Sequence, residues 1–97
     1  MASYRLTRRA RRDVLNIWQH IAEDNEQAAD RFIDVLARYF ALLGDNPRAG
    51  RSRDDLRRGY RSFPVRDYLI LYRITEPGIC IMHLVHARRD IESLFGQ

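Results

Sequence analysis

The side chains best suited to chemistry are three histidines, a single cysteine and seventeen basic residues, every one of them arginine. His83 and His86 sit in an apolar run, Ile79 to Ala87, that reads as a strand. Their odd spacing puts them on opposite faces, so a regular strand cannot offer both to one metal ion, and His20 is far away in a helical stretch. His86, beside Arg88-Arg89-Asp90, is the histidine placed to act as an acid or base near neutral pH. A hydrogen-bonded imidazole at a strand end explains it as well. Cys80 lies mid-strand among apolar neighbours, where a thiol behaves as a small inert hydrophobe. There is no Gly-x-Ser-x-Gly elbow, phosphate-binding glycine loop or zinc spacing, and Asp54-Asp55 reads as a pair of solvated loop acids. No metal or cofactor is expected.

The arginines remain. Arginine's planar fork suits carboxylate and phosphate partners. Arg57, Arg58, Arg61 and Arg66 surround Tyr60 and Phe63, and basic groups interleaved with aromatics could hold RNA by phosphate pairing and base stacking. The same pattern equally describes an edge strand kept soluble by charge. Arg73 follows Leu69 and Leu71 on one face of an apolar strand and is expected to need a carboxylate or a partner. Residues 46–66 hold seven arginines against two acids, whereas residues 23–45 hold two against six. A chain of net charge +4 with its basic groups so blocked expects an anionic partner, either nucleic acid or an acidic protein segment.

These residues must be carried by a small set of elements. Ser3 to Leu6 reads as a short strand, and Thr7 as the cap of a helix whose stripe is Ala10, Val14, Ile17, Trp18 and Ile21. Trp18 is expected to pack against the second helix and the central strand. Asn25 caps that second helix, whose stripe of Ala29, Phe32, Ile33, Leu36, Phe40 and Leu43 is widened by Ala28, Val35, Tyr39 and Leu42. Gly44 is placed to end it in a left-handed conformation, with Pro47 beyond. Residues 44–59 read as loop. The period then changes to two: Tyr60 to Val65 with an edge-type Pro64, Tyr68 to Thr75, a turn at Glu76-Pro77-Gly78, and the strand Ile79 to Ala87. Strict alternation puts Ile79, Ile81 and Val85 on one face of that last strand and Cys80, Met82 and Leu84 on the other. Asp90 caps a final helical turn, Ile91 to Phe95. The expected fold is a single α+β domain over residues 1–97, in the order β-α-α-β-β-β, with a helical hairpin on a mostly antiparallel sheet. No run approaches the ~18 apolar residues of a membrane span. The arginine-rich start lacks the apolar block of a signal peptide, so a cytoplasmic location is expected.

The residues also carry a resemblance. Tyr4-Arg5-Leu6-Thr7-x-x-Ala10-x-x-Asp13, with Ile17-Trp18 and Ile21 beyond, resembles the first helix of ParE-type toxins of the ParE/RelE superfamily of bacterial toxin–antitoxin systems. Gly59 to Val65, Tyr68 to Arg73, and Ile81-x-x-Leu84-Val85-His86-Ala87-Arg88-Arg89-Asp90 resemble that family's sheet and tail. RelE-like members are ribosome-dependent ribonucleases, whereas ParE-like members poison DNA gyrase without hydrolytic residues of their own. In the ribonuclease arm the resemblance would assign roles to Arg61, His83, His86 and Arg88. Leu69 stands where that arm has an arginine, and Leu94-Phe95 where it has a tyrosine. Phosphate and leaving group would then lack support, and the pattern leans to the ParE side. The resemblance thus implies a toxin that is not an enzyme, inhibits DNA gyrase, and forms a hetero-oligomer with a ParD-like antitoxin. That partner would offer an acidic amphipathic C-terminal tail to Arg57, Arg58, Arg61, Arg66 and Arg73, with Arg88 and Arg89 serving toxicity. The alternatives are a RelE-like endoribonuclease and a non-toxic nucleic-acid-binding module.

Overall fold

The computed structural model describes residues 3–89. Helix α1 (Arg8–Ala22) begins where Thr7, in extended conformation, accepts the Ala10 amide on its hydroxyl at 3.0 Å. Helix α2 (Glu26–Asp45) begins likewise at Asn25, whose side chain accepts the Ala28 amide at 2.9 Å. With so short a connection the two helices form an antiparallel hairpin. Gly44 does not end α2. The helix runs through it to Asp45 and stops at Asn46, whose side-chain amide donates back to the Leu42 carbonyl at 2.9 Å. Gly44 answers a need for space instead, because a Cβ there would stand 2.8 Å from the Ser3 carbonyl oxygen.

Five strands follow the order β1-β5-β4-β3-β2 across one sheet. They are β1 (Tyr4–Leu6), β2 (Arg51–Ser52), β3 (Tyr60–Val65), β4 (Tyr68–Ile74) and β5 (Ile79–His86). β1 pairs with β5 in parallel, and every other pairing is antiparallel. The expected α+β order holds, with two additions from the segment read as loop: the two-residue β2 and a 3-10 turn at Pro47–Ala49. β2 covers only Arg61 and Ser62 of β3. Pro64 therefore lies on open edge, where its missing N–H leaves no gap in a ladder. The helical turn expected at Ile91 to Phe95, with Asp90 as its cap, lies outside the described residues. No helix among the described residues is long and apolar enough to cross a membrane.

β5 departs from strict alternation. Tyr72 pairs with Ile81 while its neighbour Leu71 pairs with His83, so Met82 is the extra residue of a β-bulge. Parity reverses there. Leu84, not Val85, joins Ile79 and Ile81 against the helices, and Val85 joins Leu71 and Tyr60 on the other face. α1 brackets the irregularity. The Thr7 amide donates to the Ile81 carbonyl at 3.0 Å and its hydroxyl to the Met82 carbonyl at 3.1 Å. The Asp13 carboxylate accepts the Leu84 amide at 3.1 Å and is itself paired with Arg9.

The main core fills the space between the hairpin and the sheet, with Phe32, Leu36 and Leu43 of α2 against Ile70, Tyr72, Ile79 and Ile81. Tyr72 is wholly buried, and its hydroxyl donates to the Pro47 carbonyl at 2.7 Å and accepts the Gly50 amide at 2.8 Å. Gly50 can be nothing larger, since a Cβ would come within 2.5 Å of that hydroxyl. Trp18 does not take the expected core position. Ile17 is the buried residue, while the half-buried Trp18 turns its indole N–H to Asp30 at 2.8 Å and clamps α1 to α2.

Candidate functional site

The five arginines expected to face a partner occupy three different places. The segment between β2 and β3 folds on itself: the Leu56 and Arg57 amides donate to the Arg53 carbonyl, and Asp54 accepts the Gly59 amide at 2.8 Å. Asp55 takes both Nε and Nη2 of Arg53 at 3.1 Å, and this hydrogen bond holds its carboxyl below the ordinary 3.8. The two acids read as merely solvated thus build the turn. That turn presents Arg57 and Arg58 to solvent. Gly59, at φ +87°, then lets the chain pass beside the Arg73 guanidinium, which would lie 3.5 Å from a Cβ there. Arg57, Arg58 and Arg73 therefore share one end of the β3–β4 pair. Arg73, near the end of β4, is exposed and not a half-buried cation in need of a carboxylate, although its cross-strand partners Tyr60 and Cys80 are both buried.

Arg66 sits at the opposite end of the same pair, in the turn between β3 and β4. Its backbone is left-handed at φ 56°, and its guanidinium lies 5.1 Å over the buried Phe32 ring. Arg61 is used internally. Its Nε donates to the Gly50 carbonyl at 3.0 Å and its Nη2 to the Arg48 carbonyl at 3.3 Å, beside the Tyr72 hydroxyl that holds the same turn.

The four residues that a ribonuclease would employ do not gather: His86 and Arg88 are neighbours, but Arg61 and His83 lie apart from them. His83 faces the Tyr60 ring on the side of the sheet away from the core, with ring centroids 6.2 Å apart. Burial, reinforced by the charge of Arg9 and partly offset by Asp13, holds its imidazole below the ordinary 6.5. His86 faces the helix side, edge-on to Tyr68 at 5.5 Å, and its Nδ1 accepts the Arg88 amide at 3.3 Å. Arg61 pairs with Tyr72, whereas His86 pairs with Tyr68, which also pairs with Val65. Arg61 and Val65 are four positions apart on β3, roughly 13 Å at ~3.3 Å per residue. Arg88 and Arg89 are exposed in the turn after β5.

A cleft of about 400 Å³ gathers groups that sequence spacing held apart. His20, from the last turn of α1, comes to the same depression as His86, Arg66 and Arg89. Sequence distance alone had set His20 aside, and only the hairpin's packing on the end of the sheet brings it there. Among the described residues no three histidine, cysteine or acidic side chains are grouped to hold a metal ion.

The profile of the ParE toxin of type II toxin–antitoxin systems, parDE, matches residues 4–91 of this chain. The chain belongs to the ParE toxin family. This ParE toxin is 28% identical over 92 residues to Toxin ParE3 of Caulobacter vibrioides, a match covering 94% of this chain and 92% of that one. Toxin RelE3 of the same bacterium is 30% identical over 88 residues, covering 90% and 96%. The fold is also that of the chromosomal ParDE toxin–antitoxin system from P. aeruginosa. That structure superposes at a TM-score of 0.74 with 21% identity, over 91% of this chain and 98% of the other. In the ParE chain, the Thr7-x-x-Ala10-x-x-Asp13 pattern has a structural explanation. It is the bracket that holds the bulged centre of β5, with the fully buried Ala10 allowing α1 to approach closely. The sequence signal for that bracket was present, but nothing in it announced the bulge.

Proposed function

We propose that this ParE toxin acts in the bacterial cytoplasm as a non-enzymatic inhibitor of DNA gyrase, as one domain over residues 1–97, neutralised in a hetero-oligomer by a ParD-like antitoxin. The observation that carries the non-enzymatic reading is the separation of Arg61 and His83 from the neighbouring His86 and Arg88. Two lie on opposite sheet faces, and Arg61 is bound to main-chain carbonyls. General acid–base chemistry on a phosphodiester needs such groups to converge on the reacting atoms within hydrogen-bond reach. The antitoxin's acidic, amphipathic C-terminal segment is assigned to the exposed corner of Arg57, Arg58 and Arg73, with Arg66 at the far end of the same strands. Arg88 and Arg89 are assigned to toxicity.

The deciding experiment is a gyrase supercoiling assay with purified toxin, run beside mapping of mRNA ends in arrested cells. Inhibited supercoiling with intact mRNA is expected. A second reading, a ribosome-dependent endoribonuclease, draws on the likeness to Toxin RelE3. Ribosome-phased mRNA cuts that vanish in His86→Ala would establish it in place of the first.

A further inference from the structure

We infer that the cleft at the end of the sheet is a binding site for a small phosphate ester carrying a ring, of the nucleoside monophosphate class. The inference goes beyond the toxin reading and does not depend on it. The cleft is built where both helices meet the end of the sheet: the end of α1 supplies His20 and Ile21, α2 supplies Phe32, the turn between β3 and β4 supplies Arg66 and Asp67, β4 begins with Tyr68, β5 ends with His86, and the turn after it supplies Arg89. A site assembled from both helices and the sheet is pre-formed, which lowers the cost of ordering it around a ligand.

Its chemistry is asymmetric. Arg66 and Arg89 are exposed guanidiniums on the rim, with the His20 and His86 imidazoles beside them. Planar guanidiniums make paired, charge-assisted hydrogen bonds to phosphate oxygens. Arg66 is held over the Phe32 ring at 5.1 Å, so part of the entropy cost of fixing it is already met. The floor is apolar. Phe32 is buried beneath Arg66, which leaves the half-buried Ile21 and Tyr68 as the surfaces a ring would touch. Asp67 offers a carboxylate on the same rim, suited to the hydroxyls of a sugar. The volume of about 400 Å³ lies in the ~300–1,000 Å³ range of small-molecule sites, and a bare phosphate would leave most of it to water. Cationic rim, apolar floor and a hydroxyl acceptor together describe a phosphorylated nucleoside.

The test is isothermal titration calorimetry of the full chain with AMP, inorganic phosphate and adenosine in separate arms, with amide chemical shifts locating the contact. AMP is expected to bind, to weaken as salt is raised, and to shift Ile21, Tyr68 and Arg66. Phosphate is expected to bind about tenfold more weakly and adenosine more weakly still. Arg89→Ala, which removes a charge-assisted contact from an exposed turn, should weaken AMP by about tenfold, and His20→Ala should weaken it measurably. Arg51→Ala, on the remote β2, controls for net charge. Absence of AMP binding, phosphate as tight as AMP, wild-type affinity in both cleft variants, or an equal loss in Arg51→Ala would each overturn the assignment.

Discussion

Thr7 and Asp13 deal with backbone groups that a bulged strand would otherwise leave unmatched. A buried amide without an acceptor costs about 1–3 kcal/mol. Asp13→Ala takes the acceptor from the Leu84 amide, so its urea-unfolding midpoint should fall by the equivalent of about 1–3 kcal/mol. Asp13→Asn, which keeps an oxygen in place, should recover part of that loss; an unchanged midpoint in Asp13→Ala would show that water serves as well. His83 gives a pH signature. Its folded imidazole titrates below the ordinary 6.5 because burial disfavours the charged form. The unfolded chain therefore takes up the proton first as pH falls. The stability contributed by neutral His83 is complete above 6.5 and is lost as pH drops from there toward the lower folded value. Thermal melts on either side of 6.5 should show wild type losing more stability on acidification than His83→Gln. Parallel curves for the two proteins would place the effect elsewhere.

At the scale of elements, two joints decide whether the hairpin and the sheet meet correctly. The parallel β1–β5 pairing depends on Gly78, whose φ is +79° and whose Cβ, if present, would fall 1.9 Å from the Ser3 oxygen that accepts the Ile79 amide. Gly78→Ala should destabilise by about 1–3 kcal/mol through the backbone alone and loosen β1, which faster hydrogen exchange at the Ile79 amide would report. Protection equal to wild type would mean that β1 can shift without leaving β5. The other joint is Trp18–Asp30 between the helices. Trp18→Phe keeps a ring and removes the N–H, so a loss of about 0.5–1.5 kcal/mol is expected. An emptied core site would cost about 3–5 kcal/mol, and a loss of that size in Trp18→Phe would put the indole in the core after all.

At the scale of the whole molecule, five exposed arginines are divided between two ends of the sheet. Arg57, Arg58 and Arg73 mark one end, and Arg66 and Arg89 the other. Exposed cations mainly accelerate encounter with an acidic partner, while the desolvated part of an interface governs dissociation. For binding to the antitoxin, Arg73→Ala should therefore lower the association rate at low salt and leave the dissociation rate nearly unchanged, as stopped-flow measurements at two ionic strengths would reveal. A slower association that persists at high salt, or an accelerated dissociation, would mean that Arg73 becomes buried in the complex.

The amino-acid sequence by itself determined the two helices and their caps, the order of the elements and the ParE likeness. Each rests on local signals: a hydroxyl or amide side chain at Thr7 and Asn25, a 3.6-residue stripe, a period of two. Tertiary structure alone decided the rest. Alternation along β5 could not reveal that Met82 is an extra residue, because a bulge is defined by the partner strand, and so Leu84 and Val85 exchanged faces. Gly44 carries the composition of a helix stop, yet the approach of Ser3 explains it better. Arg61 could be counted among the partner-facing cations until the turn at Pro47–Ala49 placed carbonyls in its reach. His20 and His86 are 66 positions apart in the chain and line one cleft because α1 packs along β5, a contact that no local pattern encodes.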